Sequence, residues 1–363
     1  MNAVATKTRF MPLTIFAVER LTADAVALTL RPPAAAAGAF RFLPGQHLTL
    51  RRVIGGEEVR RSYSLCAGLD EGVLQVAVKR VPSGRFSTWA VEEARPGDVI
   101  DALPPAGSFV FRPDPAAART VLGIAAGSGI TPILSIARTL LSREPESQFI
   151  LLFGNRTSAD IMFREAIEDL KDRHLSRFAV VHVLSREALE LPALHGRLDG
   201  SRLAALLPGL ARPAEIDAAY VCGPAGLPES AEEALIGLGV ARERVLVERF
   251  IPPGGSFLPP QVTLAAAKRP QVAQLSVTVD GARREVPMAE GETVLEAVLR
   301  AGIDAPWSCR GGMCCSCRAK LTEGEVAMDR NWSLQPWELA AGFVLTCQSR
   351  PKTARLAVDY DAV

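Results

Sequence analysis

The stretch "CRGGMCCSCRAK", residues 309–320, sets Cys309, Cys314, Cys315 and Cys317 within nine positions, with two glycines and a methionine among them. Thiols this crowded restrict the local chain more than any other feature of the sequence. The whole chain has seven cysteines at uneven spacing, an odd number that suits no closed disulfide framework. The N-terminal "MNAVATKTRFMPLTIF" lacks the unbroken apolar core of a signal peptide, and no run approaches the roughly 18 apolar residues of a membrane span. The reading is therefore a soluble, cytoplasmic protein. In that reducing setting a tight group of thiols points to a metal or to redox chemistry. A net charge of +1 lacks the basic surplus that nucleic acid or a membrane surface demands, so neither is expected as a partner.

Cys309, Cys314 and Cys317 are separated by four and then two residues, and Cys347 follows thirty positions after Cys317. This is the plant-type 2Fe-2S spacing with its distant fourth ligand. Gly311 and Gly312 suit a loop that curves tightly and brings backbone N–H groups to sulfur. A four-cysteine zinc site is the alternative, although such sites pair two CxxC steps and only one is present here. Cys315 falls outside the spacing. It reads as a free thiol beside the cluster or as a small buried apolar residue.

At 363 residues and 48% apolar side chains, the chain can bury two or three cores. Three segments emerge. Between residues 10 and 112, short β-rich runs such as "HLTLRRV", "EEVRRSYSL" and "VLQVAVKRV" are punctuated by "LPGQ", "IGGE" and "RPGD", which predicts an antiparallel barrel over 1–114. Over 115–250 apolar strands alternate with helices, expected from Pro132, near 158–171, near 200 and near 225–238. That rhythm predicts a doubly wound parallel sheet. Residues 251–271, "IPPGGSFLPPQVTLAAAKRPQ", read as a linker. Residues 272–363 open with a hairpin around Asp280-Gly281 and a helix capped by Thr293 and Glu296, the start of a small α+β domain that carries the cysteine loop.

In the second segment "GSGITP", with Gly127, Gly129 and Thr131, stands between a strand and a helix, where free N–H groups and the positive helix end can meet a pyrophosphate. "VCGPAG" puts Cys222, Gly223 and Pro224 at the end of a later strand, on the carboxyl edge where open α/β sheets bind ligands, or in an ordinary strand-to-helix turn. Arg156 and Arg186 also follow strand ends. Each reads either as a clamp for an adenosine 2′-phosphate or as a solvated surface arginine. In the barrel, "RRSYSL" offers Arg61, Tyr63 and Ser64, an anion partner, a flat ring and a hydroxyl, which would suit a flavin among other ligands. Gly84 and Ser87 of "SGRFSTW" open a helix as a second phosphate turn. The four histidines show no ligand spacing and read as structural or surface residues.

"RSYSL", "GRFS", "GSGITP", "CGP" and the cysteine loop, in that order, resemble the ferredoxin-NADP reductase superfamily fused to a 2Fe-2S domain, as in oxygenase reductases. The resemblance covers nearly the whole chain. "FLPGQHLTL", "FGNRT", "HGRLDG" and "VAMDRNWSLQPWELAAGFVLTCQ" resemble the branch that serves di-iron monooxygenases acting on phenylacetyl-CoA. The resemblance implies an antiparallel β-barrel flavin domain, an α/β nucleotide domain and a β-grasp ferredoxin domain, with FAD, a 2Fe-2S cluster and NADPH, or else NADH, as cofactors. It also implies a partner, a di-iron oxygenase component, or else a Rieske-type ring hydroxylase or steroid hydroxylase. It places Arg61 towards the flavin pyrophosphate, Tyr63 on the isoalloxazine and Ser64 near N5, with Gly84 and Ser87 on the pyrophosphate. Thr131 and Cys222 would flank the nicotinamide. Glu248 and Phe250 of "VERF" would reach back to the flavin, and Ser185 and Arg186 would contact the 2′-phosphate. Ser64, Cys222, Glu248 and Phe250 are thus the residues expected at the reacting atoms, and Cys309, Cys314, Cys317 and Cys347 the metal ligands. A redox sensor or passive electron carrier is the reading outside enzymes.

Overall fold

The computed structural model describes residues 9–250 and 270–362. The expected linker lies almost wholly outside these residues.

The first unit is built from strands β1 (Met11–Thr22), β2 (Ala25–Arg31), β3 (His47–Ile54), β4 (Glu57–Ser64), β5 (Leu74–Lys79) and β6 (Val99–Ala102), with helix α1 (Arg85–Glu92) before β6. Their order is β4-β3-β6-β1-β2-β5, antiparallel throughout, and a bridge between Leu65 and Val76 joins the two edges into a barrel. Leu13, Ile15, Leu28, Leu48, Leu50 and Val76 point inward and are fully buried, the period-two signature of strands with one apolar face. The two-residue turn at Gly55-Gly56 fixes the β3–β4 register at Ile54 opposite Glu57.

The second unit contains β7 (Thr120–Ala126), α2 (Ile130–Arg143), β8 (Gln148–Asn155), α3 (Arg164–Arg173), β9 (Phe178–Leu184), α4 (Gly200–Leu206), β10 (Ile216–Gly223), α5 (Leu227–Gly237) and β11 (Val245–Arg249). The strands are parallel in the order β11-β10-β7-β8-β9, so the chain reverses direction across the sheet between β7 and β10. Two helix starts differ from the sequence reading. The helix expected from Pro132 begins at Ile130, directly after a 3-10 turn at Gly127–Gly129, so Pro132 is its third residue. The helix expected near 158–171 divides into a 3-10 turn at Ser158–Asp160 and α3, because Phe163 turns left-handed (φ 59°) to bury its ring.

The third unit comprises β12 (Gln271–Val279), β13 (Ala282–Ala289), α6 (Val294–Arg300), β14 (Arg318–Glu323), β15 (Val326–Met328), α7 (Pro336–Ala340), β16 (Phe343–Leu345), β17 (Ser349–Pro351) and β18 (Arg355–Asp359). A mixed sheet, β13-β12-β18-β14-β16, grips α6, whose capping box of Thr293 and Glu296 is present in full. No helix among the described residues is long and apolar enough to cross a membrane.

The units meet in two different ways. Barrel and nucleotide domain share one apolar core, in which Ala25, Ala27 and Ala77 of the barrel pack with Ile130, Ile133 and Ile136 of α2. Ser135 Oγ of α2 donates to the Ala67 carbonyl at 2.6 Å and fixes the seam. The third unit has a separate core. It touches the barrel through Thr49 with Ser316 (2.8 Å), Ser62 with Ser308 (2.9 Å), Ser108 with the Ser333 carbonyl (2.6 Å) and Arg60 with Asp304 (3.3 Å).

Gly45, just ahead of β3, has φ +93°, and a Cβ there would lie 2.1 Å from the Phe109 carbonyl oxygen. Only glycine fits. Gly45→Ala should lower stability by at least about 2 kcal/mol, since backbone strain and a main-chain clash add together. Thermal unfolding of the purified variant checks this, and an unchanged midpoint would show that the strand can shift to admit the methyl group.

Candidate functional site

In β4 successive side chains alternate, so Ser62 and Ser64 share the face opposite to Arg61 and Tyr63. Tyr63 rests on Phe86 of α1 with ring centroids 5.3 Å apart and planes tilted by 34°, which backs the tyrosine ring from one side. Arg61 is exposed, and its guanidinium is held by the Arg60 carbonyl at 2.7 Å. Gly84 caps α1, whose first turn carries unpaired N–H groups. Ser87 differs from expectation. Its hydroxyl donates to the Gly84 carbonyl (3.0 Å) and accepts the Val81 N–H (3.2 Å), so it shapes the turn and leaves only main chain to offer an anion.

Ser64 faces the other domain. Its hydroxyl donates to Glu248 Oε2 at 3.0 Å, and the Cys222 thiol lies 3.8 Å from the same oxygen. Register places Cys222 beside Glu248 in the β10–β11 pair, so three of the residues expected at the reacting atoms stand together. Burial drives the Glu248 carboxyl up to about 8, against the pull of the Ser64 and Cys222 hydrogen bonds. Burial, reinforced by the Glu248 charge, also holds the Cys222 thiol protonated. The half-buried Phe250 packs on the shared core just beyond.

The Gly127–Gly129 turn crosses the carboxyl edge where the strand order reverses. A Cβ on Gly129 would lie 2.2 Å from the Cys222 carbonyl oxygen, so the turn can press against β10 only with glycine there. Thr131 is buried and gives its hydroxyl to the Ser128 carbonyl at 3.0 Å. Gly223 is buried and Pro224 exposed at the same edge. Ser185 and Arg186 are joined to the neighbouring strand end by main-chain hydrogen bonds to Asn155 and Arg156, with Arg186 exposed. Arg156, by contrast, is paired with Asp24 and Asp160. Asn155, between the glycine turn and Ser185, is buried with both amide atoms unpartnered, as a ligand contact would be. Sequence reasoning missed it, although its position at the end of the strand "FILLFGN", one residue before Arg156, was a signal in plain view.

The cysteine loop curves through positive φ at Arg310, Gly312 and Cys315. Cys309, Cys314, Cys317 and Cys347 are all buried and reduced. They fall into two pairs, the strongest interaction of Cys309 being with Cys314 and that of Cys317 with Cys347. Among the described residues no three His, Cys, Asp or Glu side chains are grouped around a single metal ion. Two pairs fit a group with two metal atoms. The N–H groups of Gly311 and Met313 point at Cys309 Sγ (3.3 and 3.4 Å), and that of Cys309 at Cys314 Sγ (3.4 Å), the donors that a sulfur cluster calls for. Cys315 is half-buried outside both pairs, and burial pushes its thiol up to about 12.

The three units converge on one crevice, lined by His47, Ser108, Phe109, Glu248, Cys314 and Trp332 among others. His47 is buried there against Cys314, and burial lowers its pKa. The sequence shows no ligand spacing around it, because its neighbour comes from a loop far along the chain, with 267 positions between the paired Thr49 and Ser316 beside it.

A barrel with a backed tyrosine, a sheet edge with a glycine turn and a loop of paired thiols define a pyridine-nucleotide-dependent electron-transfer flavoprotein. Three domain families match: an oxidoreductase FAD-binding domain over residues 12–111, an oxidoreductase NAD-binding domain over 124–233 and a 2Fe-2S iron-sulfur cluster binding domain over 277–352. The chain belongs to the ferredoxin-NADP reductase superfamily, among the oxygenase reductases with a C-terminal 2Fe-2S domain. It is 44% identical to one of the subunits of 1,2-phenylacetyl-CoA epoxidase from Escherichia coli (strain K12), over 98% of this chain and 99% of that protein. It is 32% identical to the ferredoxin reductase component of 3-ketosteroid-9-alpha-monooxygenase from Rhodococcus rhodochrous, over 97% of each. Phthalate dioxygenase reductase, a modular structure for electron transfer from pyridine nucleotides to [2Fe-2S], aligns with TM-score 0.54 and 25% identity over 96% of this chain and 98% of its own. An intact type IV self-sufficient cytochrome P450 monooxygenase shares the fold at TM-score 0.69 and 24% identity, this chain spanning 41% of its length.

Because the Glu248 carboxyl titrates above its unfolded value, the stability it contributes is present below the ordinary carboxyl range and lost as pH rises towards 8. Glu248→Gln cannot ionise. Its thermal midpoint relative to the native chain should therefore rise by about 2–4 °C between pH 5 and pH 8.5. A gap independent of pH would show the carboxyl to be charged throughout.

Proposed function

We propose that this chain carries electrons from NADPH through FAD and a 2Fe-2S cluster to the di-iron oxygenase of a 1,2-phenylacetyl-CoA epoxidase in the cytoplasm. The observation that carries the reading is the crevice in which Glu248, hydrogen-bonded to the flavin-side residue Ser64, and the cluster-side residue Cys314 come together. The similarity to the epoxidase component, which extends over nearly both chains, supports the choice of partner. The bound flavin would accept an electron pair as hydride and the cluster would pass electrons on singly.

The chain's own residues supply position and charge. Tyr63, supported by Phe86, holds the ring system flat, and Arg61 with the first turn of α1 at Gly84 and Ser87 neutralises the pyrophosphate. Ser64, fixed by Glu248, presents its hydroxyl at the ring edge, and Cys222 and Thr131 flank the incoming nicotinamide. Gly127, Gly129, Gly223 and Pro224 shape the passage for its phosphates, with Asn155 as an additional contact. Phe250 closes the pocket from the nucleotide side. Cys309, Cys314, Cys317 and Cys347 would hold the cluster through their sulfur atoms. Glu248, drawn towards the neutral form by burial, can hold or release a proton near neutral pH beside the Ser64 hydroxyl.

Ser185 and Arg186 account for a preference for NADPH. Arg186 is exposed at the sheet edge, whereas Arg156 is engaged by two aspartates and is the weaker candidate for the 2′-phosphate. Arg186→Ala should raise KM for NADPH about tenfold, the scale of one charge-assisted phosphate contact, and leave KM for NADH within about twofold. Equal effects on both would remove the role from Arg186.

The partner is tested by mixing the purified chain with the oxygenase components of a 1,2-phenylacetyl-CoA epoxidase, NADPH and phenylacetyl-CoA. Epoxide formation that depends on the chain is expected. Support for a steroid or Rieske-type hydroxylation instead, with no epoxide formed, would reassign the partner.

A further inference from the structure

His47 begins β3, and its main chain is tied on both sides. It lies opposite Ser64 in the β3–β4 pair, and it exchanges two hydrogen bonds of 3.0 Å with Ala106. Within that frame the residue is only 5% exposed, and Nε2 is enclosed with no hydrogen-bond partner. Gly107 leaves room for the ring, since a Cβ there would come within 3.0 Å of Nδ1. Across the domain boundary the ring faces the backbone and thiol of Cys314, and both line the same crevice. A buried ring nitrogen without a partner costs about 1–3 kcal/mol, so a fold that keeps one has a use for it.

We propose that His47 is a positioning residue of the cluster, donating from Nε2–H to the sulfur shell at Cys314 and so holding that edge of the cluster against the strand pair that carries Ser64. The inference rests on the reading of the chain as a flavin-to-cluster reductase. The backbone and thiol of Cys314 are the acceptors that the boundary offers, and a neutral imidazole with its proton on Nε2 is the donor that matches the sulfur. Such a hydrogen bond favours the more negative, reduced cluster, and it fixes the separation across which electrons pass.

The test compares His47→Phe, which keeps a ring without a donor, with His47→Gln, which keeps a donor without the ring, in the full-length protein loaded with flavin and cluster. Cluster potential is read by a dye-coupled redox titration followed by electron paramagnetic resonance. Flavin reduction by NADPH and subsequent cluster reduction are followed by stopped-flow absorbance. The Phe variant should show a more negative cluster potential and cluster reduction slowed about tenfold or more, with the rate of flavin reduction unchanged, and the Gln variant should recover most of both losses. A Phe variant with native potential and native cluster reduction would overturn the proposal, as would a Gln variant impaired as severely as Phe. If the native protein itself lacked a 2Fe-2S signal, or its flavin were not reduced by NADPH, the underlying reading would fail instead.

Discussion

The apolar seam between the barrel and α2 is the contact on which the rest of the molecule depends. Ile130, Ile133 and Ile136 are fully buried against barrel alanines and Phe109, so neither domain can bury its surface there without the other. At about 1.5–3 kcal/mol for each fully buried aliphatic side chain, three isoleucines alone contribute several kcal/mol to the junction. The seam also determines where β10 and β11 end relative to β4. Ser64 therefore meets Glu248 and Cys222 across a domain boundary by rigid packing, with no need for a movable segment.

The ferredoxin unit is held by a weaker kind of contact. Its hydrogen-bonded links to the barrel are serine and threonine hydroxyls, each contributing about 0.5–1.5 kcal/mol, and an Arg60–Asp304 pair whose aspartate side chain is 72% exposed and contributes at most about 1 kcal/mol. The total is a few kcal/mol, with no apolar core shared across it. An interface of this strength suits a domain that must accept electrons at one surface and still engage a separate protein. The same polar surface places Cys314 in the crevice beside the flavin-side residues.

Much of this is legible in the sequence, for reasons that differ by element. The barrel and the parallel sheet announce themselves through period-two and strand–helix patterns, and the capping box at Thr293 and the turn at Asp280-Gly281 are local chemistry that tertiary context did not override. The cysteine spacing conveys the four thiols, but their division into two pairs belongs to the folded loop. Phe163 misleads a helix reading because its side chain fits an apolar stripe while its backbone is left-handed. Ser87 resembles a phosphate ligand because a hydroxyl at the start of a helix has two uses, and here it closes its own turn. His47, Asn155 and Arg60 escape local reasoning for a common cause. Their partners, or the space where a partner would sit, come from distant segments, and nothing in local periodicity records that.

Charge gives the cluster loop its remaining logic. Four buried thiols deprotonated together would place several negative charges in an apolar pocket, where each raises the cost of the next. The guanidinium groups of Arg60 and Arg310 both stand over the Trp307 ring, at 4.5 and 4.0 Å, one from the barrel and one from the loop itself. Arg60 NH1 and Arg310 Nε and NH1 are buried without partners, and burial lowers the Arg310 pKa against the pull of Glu296, Cys347 and Cys317. Alone, two like charges so close would repel. Arg310 faces the loop thiols Cys317 and Cys347, and Arg60 is paired with Glu58 and Asp304, so each of the two charges has its own compensation beside the domain boundary.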